Sequence, residues 1–203
     1  MGEFELYLAS ASPRRRELLA QIGMRYQLLN VSISEIRLDD ETAENYVRRV
    51  ARDKARAGRQ LLARDDSRPV LGADTVVMVD DSVLGKPRDR AEALSMLQQL
   101  SGREHQVLSS VALIDSEERL ALNRTQVSFR KLGRVECERY WDTGECRDKA
   151  GAYAIQGYAA AFVRELRGSY SGVMGLPLYE TAQLLQQAGI GLFGNRNEWS
   201  QDE

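Results

Sequence analysis

A chain of 203 residues, 43% hydrophobic and 29% charged, can build a core and still keep a well-solvated surface. Its 28 basic and 30 acidic residues leave a net charge of -2, which argues against a general nucleic-acid binder although a local basic cluster exists. No apolar run approaches the roughly 18 residues of a spanning helix. The start, MGEFELYLAS, is too short and too acidic for a signal peptide, so a cytoplasmic protein with no membrane partner is expected. Cys137 and Cys146 match no common zinc spacing and read as free thiols. The lone histidine, His105, cannot anchor a multi-histidine site, so any metal must be held by oxygen ligands, which points to magnesium or manganese.

Residues 4–10 read as a core strand. Ser12-Pro13 supplies an N-cap and a first-turn proline for a helix from Arg14 to about Ile22, with Leu18, Leu19 and Ile22 inward and Gly23 at its C′ position. A short strand falls around 26–31, and a second helix runs from near Thr42 to about Ala63. The inner face of that helix is Tyr46, Val47, Val50, Ala51, Lys54 and Leu61, and its outer face carries Arg48, Arg49, Arg52, Arg56 and Arg59. Residues 69–79 form a buried strand ending in a turn at Asp80-Asp81. Asp89-x-x-Glu92 opens a helix over 90–100 that Gly102 closes. Paired strands over 105–114 and 120–129, a helix at 134–142, a strand at 159–166 and a helix at 176–188 complete the pattern. The segment after about residue 194 is polar and is expected to fray. One α/β domain over 1–194, with two lobes, and a flexible tail over 195–203 is the organisation this implies.

Six places carry chemistry. In Ser10-Ala11-Ser12-Pro13-Arg14-Arg15-Arg16, arginines crowd a helix N-terminus, where the dipole disfavours cations by roughly 0.3–1 kcal/mol each. Hydroxyls and open backbone N–H groups share that turn, so it suits phosphate; a solvated basic helix end fits the residues equally well. Asp74 lies among apolar neighbours, where a carboxylate is costly unless it binds metal, pairs with a cation or is hydrogen-bonded. It reads as a metal or catalytic group, or as a structural Asp satisfied by the next turn. Lys54 shares the inner face of its helix, either snorkelling past the core edge or reaching phosphate. Lys86, in GKPR, follows the hairpin after Asp74 and either returns to the same cleft or is an ordinary loop lysine. Glu35 is either a second oxygen ligand or an ordinary surface glutamate, and Gln156, as a buried amide beside Tyr153, offers the donors and acceptor that meet N3–H and O4 of uracil or thymine. His105, Leu184 and Leu185 read as structural.

The segments LYLASASPRRRELL, ARDKARAG, VLGADTVV, GKPRD, LSGREHQV, DKAGAYAIQG and VMGLPLYET, in this order from about Leu6 to Thr181, resemble the Maf family of nucleotide pyrophosphatases. The resemblance implies a mixed, elongated sheet with flanking helices around a deep cleft, like that of inosine triphosphatases. It implies hydrolysis of a nucleoside triphosphate between the α and β phosphates with a divalent cation, magnesium or manganese. Asp74 matches the family's catalytic proton acceptor, with Lys54 and Lys86 as catalytic partners and Glu35 joining Asp74 as a metal ligand. Ser10, Arg14 and Arg15 match substrate-binding positions. Arg14, Thr75 and Gln156 follow the branch acting on dTTP and UTP rather than the one acting on 7-methyl-GTP, which has tryptophan, glutamine and glutamate there. CTP is admitted as a lesser substrate, because a glutamine amide can flip. The resemblance also implies a homodimer, a role in clearing the nucleotide pool and a link to septum formation. A nucleic-acid-binding regulator is the rival from outside the enzyme class.

Overall fold

The computed structural model describes residues 4–80 and 82–192. The expected tail over 195–203 and the Asp81 half of the expected turn lie outside these residues. Seven strands form one mixed sheet in the order β2-β1-β3-β5-β6-β7, with β4 paired to β3. The chain divides into two compact units. One comprises the residues up to Asp74, Ser109–Leu122 and the residues from Gly175 onward; the other comprises Thr75–Leu108 and Asn123–Met174.

In the first unit β1 (Leu6–Leu8) pairs in parallel with both β2 (Tyr26–Leu28) and β3 (Val70–Val79). Parallel neighbours require a crossover, and α1 (Pro13–Gln21) supplies the one from β1 to β2. Pro13 occupies its first position, as the sequence leads one to expect, but the Ser12 hydroxyl makes no capping bond. At its other end the Gly23 N–H reaches the Ala20 carbonyl (3.0 Å) and the Met24 N–H the Leu19 carbonyl (3.1 Å). This paired closure needs a left-handed residue, and Gly23 takes φ 75°.

Helix α2 (Ala43–Gln60) begins where the Thr42 hydroxyl accepts from the Asn45 N–H. Ala43, Val47, Val50, Ala51, Lys54, Ala55 and Gly58 are its buried residues. The helix stops three residues short of the expected Ala63, and Leu61, assigned to the inner face, is 60% exposed because it falls beyond the last turn. Strand β3 runs unusually close to α2. A Cβ on Gly72 would stand 2.4 Å from the Ala51 carbonyl oxygen and 2.6 Å from the Ala55 nitrogen. Glycine at this one position lets strand and helix touch along their backbones, and Lys54 and Asp74 both follow from that contact.

In the second unit β4 (Ser82–Leu84) folds back antiparallel on β3, and α3 (Arg90–Leu100) opens with the Asp89 side chain accepting from the Glu92 N–H. The Glu92 carboxylate returns to the Arg88 N–H rather than to Asp89, so the capping box is a variant one. The long strands β5 (Glu104–Ile114) and β6 (Glu118–Phe129) are followed by α4 (Arg134–Asp142), the helix expected at 134–142. The strand expected over 159–166 is shorter. Residues Tyr158–Phe162 wind into a 3-10 turn, and β7 (Val163–Arg167) then pairs antiparallel with β6. A short helix α5 (Tyr170–Met174), which the pattern did not suggest, precedes α6 (Leu178–Gln187) of the first unit. Leu184 and Leu185 are buried there as expected. The second unit's core gathers Phe129, Tyr140, Tyr153 and Phe162 in edge-to-face contacts with one another, packed with aliphatic residues of β3 and α3. Both cysteines are free and buried in this core, and burial raises each thiol above its ordinary value.

Candidate functional site

The site residues fall into two sets, one in each unit, joined in the chain at the peptide between Asp74 and Thr75.

The first set centres on Lys54. Its ammonium stands 2.9 Å from Asp74 Oδ1 and 3.0 Å from Glu35 Oε1. Asp74 is 6% exposed and Lys54 9%. Lys54 thus turns toward two carboxylates rather than snorkelling outward, and Asp74 is paired with a cation rather than satisfied by a turn. The pair is set in a place of low polarity, where charge acts at close range.

Glu35 comes from a loop without regular structure, and α2 holds that loop in place. Tyr46 donates its hydroxyl to the Glu35 carbonyl (2.8 Å). Arg49 forks onto the Glu41 carboxylate through Nε (2.7 Å) and Nη2 (2.8 Å) and also reaches the Ile36 carbonyl (3.0 Å). The Glu41 carboxylate in turn accepts from the Leu38 N–H. Burial, aided by the negative charges of Asp74 and Glu35, pushes the Tyr46 hydroxyl up to about 12, so it stays a donor at any working pH. Sequence reasoning gave Arg49 to the solvated outer face and no role to Tyr46. Their spacing from Lys54 along one helix was the signal available, but nothing local revealed that a loop lay on them.

The basic turn before α1 is built as a small scaffold. Ser10 is buried, and its hydroxyl accepts from the Ser12 N–H and from Arg15 Nη1, each at 3.2 Å. Arg15 also donates Nε to the Gly175 carbonyl (2.8 Å). Burial pulls the Arg15 guanidinium below its ordinary value, opposed by the charges of Asp74 and Glu35, and Arg14 lowers it further. A guanidinium remains protonated despite such a shift. Arg14 is half-buried. The turn carries no acidic residue in its first helical turn to compete for these cations.

The second set is Thr75, Lys86 and Gln156. Thr75 is half-buried in β3, and Lys86 is exposed in the loop after β4. That loop is tied to the segment carrying Gln156, since the Gly151 N–H donates to the Gly85 carbonyl at 3.0 Å. Gln156 is exposed, not buried as its apolar neighbours suggested. The tight turn over 154–157 directs Ala154 and Ile155 inward and leaves the amide outside. His105 is structural as expected: buried, its Nε2 lies 2.9 Å from the Tyr153 hydroxyl, edge-on to Phe129.

Asp74 and Glu35 also fit a divalent cation. Their oxygens converge on one point, the Lys54 ammonium, and both are hard donors. Magnesium typically takes one or two carboxylates and completes its shell with water and substrate phosphates. Among the described residues no three acidic, histidine or cysteine side chains come together to cage a metal, an arrangement that such a site does not need.

A family profile described as Maf-like protein matches residues 5–188. A dTTP/UTP pyrophosphatase of Alkalilimnicola ehrlichii is 56% identical over 188 residues, covering 91% of this chain and 93% of the relative. One from Pectobacterium atrosepticum is 54% identical over 181 residues, covering 89% and 91%. Among solved structures, a dITP/XTP pyrophosphatase from Mycobacterium abscessus is 18% identical, with 90% of this chain and 94% of that one covered at a TM-score of 0.41. The chain is a mixed α/β protein and belongs to the Maf family. Among the described residues no helix is long and apolar enough to cross a membrane.

Proposed function

We propose that this chain is a metal-dependent nucleoside triphosphate pyrophosphatase that prefers dTTP and UTP, with CTP a lesser substrate. The observation that carries this reading is the buried ammonium of Lys54 set between Asp74 and Glu35. The names of the relatives support the same activity. Arg14, Arg15, Lys54 and Lys86 neutralise the triphosphate, and Ser10 holds Arg15 in place. Asp74 takes the proton of a water whose oxygen bonds to the α phosphorus as the α–β bridging bond breaks and pyrophosphate leaves. A magnesium or manganese ion held by Glu35 and Asp74 would supply charge neutralisation at the phosphate oxygens. Positioning and electrostatic stabilisation account for the rate. Base choice rests on Thr75 and on Gln156, whose amide meets the N3–H and O4 of uracil or thymine.

An assay of pyrophosphate release tests this reading, run with UTP, dTTP, CTP, 7-methyl-GTP, ITP and ATP and with magnesium or manganese. Turnover concentrated on UTP and dTTP is the expected result. A preference for 7-methyl-GTP would keep the chemistry and overturn the roles of Arg14, Thr75 and Gln156. No pyrophosphate from any nucleotide would favour a binding regulator. Three of the five arginines of α2 speak against that rival: Arg49 is engaged by Glu41, Arg56 by Glu118, and Arg59 by backbone carbonyls. The homodimer and the link to septation belong to this proposal only through the family.

A further inference from the structure

Gln156 reaches outward from a turn that has almost no regular structure, yet a base-reading amide must be held to within a fraction of an ångström. The turn is secured from beneath by two residues outside the motif. Glu145, just after α4, accepts from the Tyr158 N–H through Oε2 (2.9 Å) and from the Ala159 N–H through Oε1 (3.4 Å). Its Oε1 also accepts from the Tyr140 hydroxyl at 2.8 Å, and that hydroxyl accepts from the Ala154 N–H at 3.0 Å. Gln156 is therefore bracketed. The backbone two residues before it and two residues after it are both bonded to one Tyr140–Glu145 couple.

The glycine that follows Gln156 has its reason here. A Cβ on Gly157 would stand 2.0 Å from Glu145 Oε2 and 2.3 Å from its Cδ. Its φ of -115° is open to any residue, so space and not backbone conformation demands glycine. The carboxylate lies flat against the turn, and bonds from a charged acceptor are about twice as strong as neutral ones. Tyr140 is 4% exposed, and burial followed by its bond to Glu145 drives its hydroxyl far above the ordinary range, keeping it a donor.

We infer that Glu145 and Tyr140 are positioning residues for base selection, fixing the turn from which Gln156 reads the N3–H and O4 edge of a pyrimidine. This rests on the reading of Gln156 given above. Neither residue belongs to the phosphate-handling groups of the first set, so their effect falls on affinity and base preference, not on the chemical step.

The test uses the full-length protein with UTP and CTP under steady-state conditions. Glu145→Gln keeps the shape but sets an amide against backbone N–H donors. It is expected to raise KM for UTP about tenfold, the effect of one hydrogen bond left unmade, with kcat within about threefold and the UTP-over-CTP preference narrowed. Gly157→Ala, which displaces the carboxylate, gives the same narrowing. Tyr140→Phe, which keeps the ring in the core, gives it too and stands in should either of the others fail to fold. Gln156→Ala separates the two claims. If it leaves the preference unchanged, the base-reading role fails and the inference goes with it. If it narrows the preference while folded Glu145→Gln and Tyr140→Phe proteins keep the wild-type preference, the positioning role alone is overturned. The Glu145→Gln/Gln156→Ala pair should narrow the preference no further than Gln156→Ala does. An additive loss would show that Glu145 acts by another route.

Discussion

The two sets of residues are built in opposite ways. Around Lys54 the central pair, Lys54 and Asp74, is buried, and the exposed Glu35 carboxylate closes on the same ammonium, so fold and charge are held together there. Around Gln156 the working group is exposed, and only its support, Tyr140 and Glu145, is buried or half-buried and bonded. The difference matches the tasks. Charge stabilisation gains from low polarity and rigid burial, whereas reading a base edge needs an amide that a ligand can reach. It follows that damage to the first set should appear in kcat, joined by stability where the backbone or the Glu35 loop is disturbed, and damage to the Gln156 turn in KM and selectivity.

The comparison is broken most severely at Asp74. Asp74→Asn keeps the shape and leaves Lys54 bonded to Glu35, so the fold should persist while kcat falls by about three powers of ten or more. Near-normal turnover in a folded variant would remove Asp74 from the chemistry. Gly72→Ala attacks the same set through the backbone, because the added methyl meets Ala51 and Ala55 main-chain atoms. It should cost about 1–3 kcal/mol in denaturant unfolding as helix and strand part, and activity should fall with it. Arg49→Met tests whether the Glu35 loop is held from α2. Losing the fork to Glu41 should lower kcat/KM about tenfold or more, with a stability loss of about 1–3 kcal/mol. Unchanged kinetics would show that Glu35 needs no such anchor.

A gentler probe lies in the second unit. Burial lowers His105 from the ordinary 6.5 to about 4, so it is neutral when folded, whereas the unfolded chain gains a proton below 6.5. Stability should therefore be full above pH 6.5 and decline as the pH falls toward about 4, by about 3 kcal/mol in all. His105→Gln should flatten that slope in urea unfolding measured across the window. The smallest effect is at a helix cap: Thr42→Ala should cost about 1 kcal/mol and leave base preference as it was.

What the sequence revealed, and what it hid, follows the same division. Local chemistry was legible. Ser12-Pro13, Gly23, Thr42 and Asp89 mark helix ends, and the three helices they bound form there. Lys54 on the apolar stripe of α2 and Asp74 within a hydrophobic strand stood out because a charge among apolar residues needs a partner, and each is the other's partner. Contacts across long separations were not legible. Nothing near Glu35 shows that Tyr46 and Arg49 pin its loop, and nothing near Gln156 shows that Glu145 underlies it. Apolar neighbours made Gln156 look buried, but in a tight turn successive side chains diverge and one polar residue is turned outward.

The most direct test of the central claim, that the Asp74 centre sends water to the α phosphorus, is hydrolysis of UTP in heavy-oxygen water with the products resolved by mass spectrometry. The account predicts label in the nucleoside monophosphate and none in pyrophosphate. Label in pyrophosphate, or release of labelled orthophosphate in its place, would contradict it.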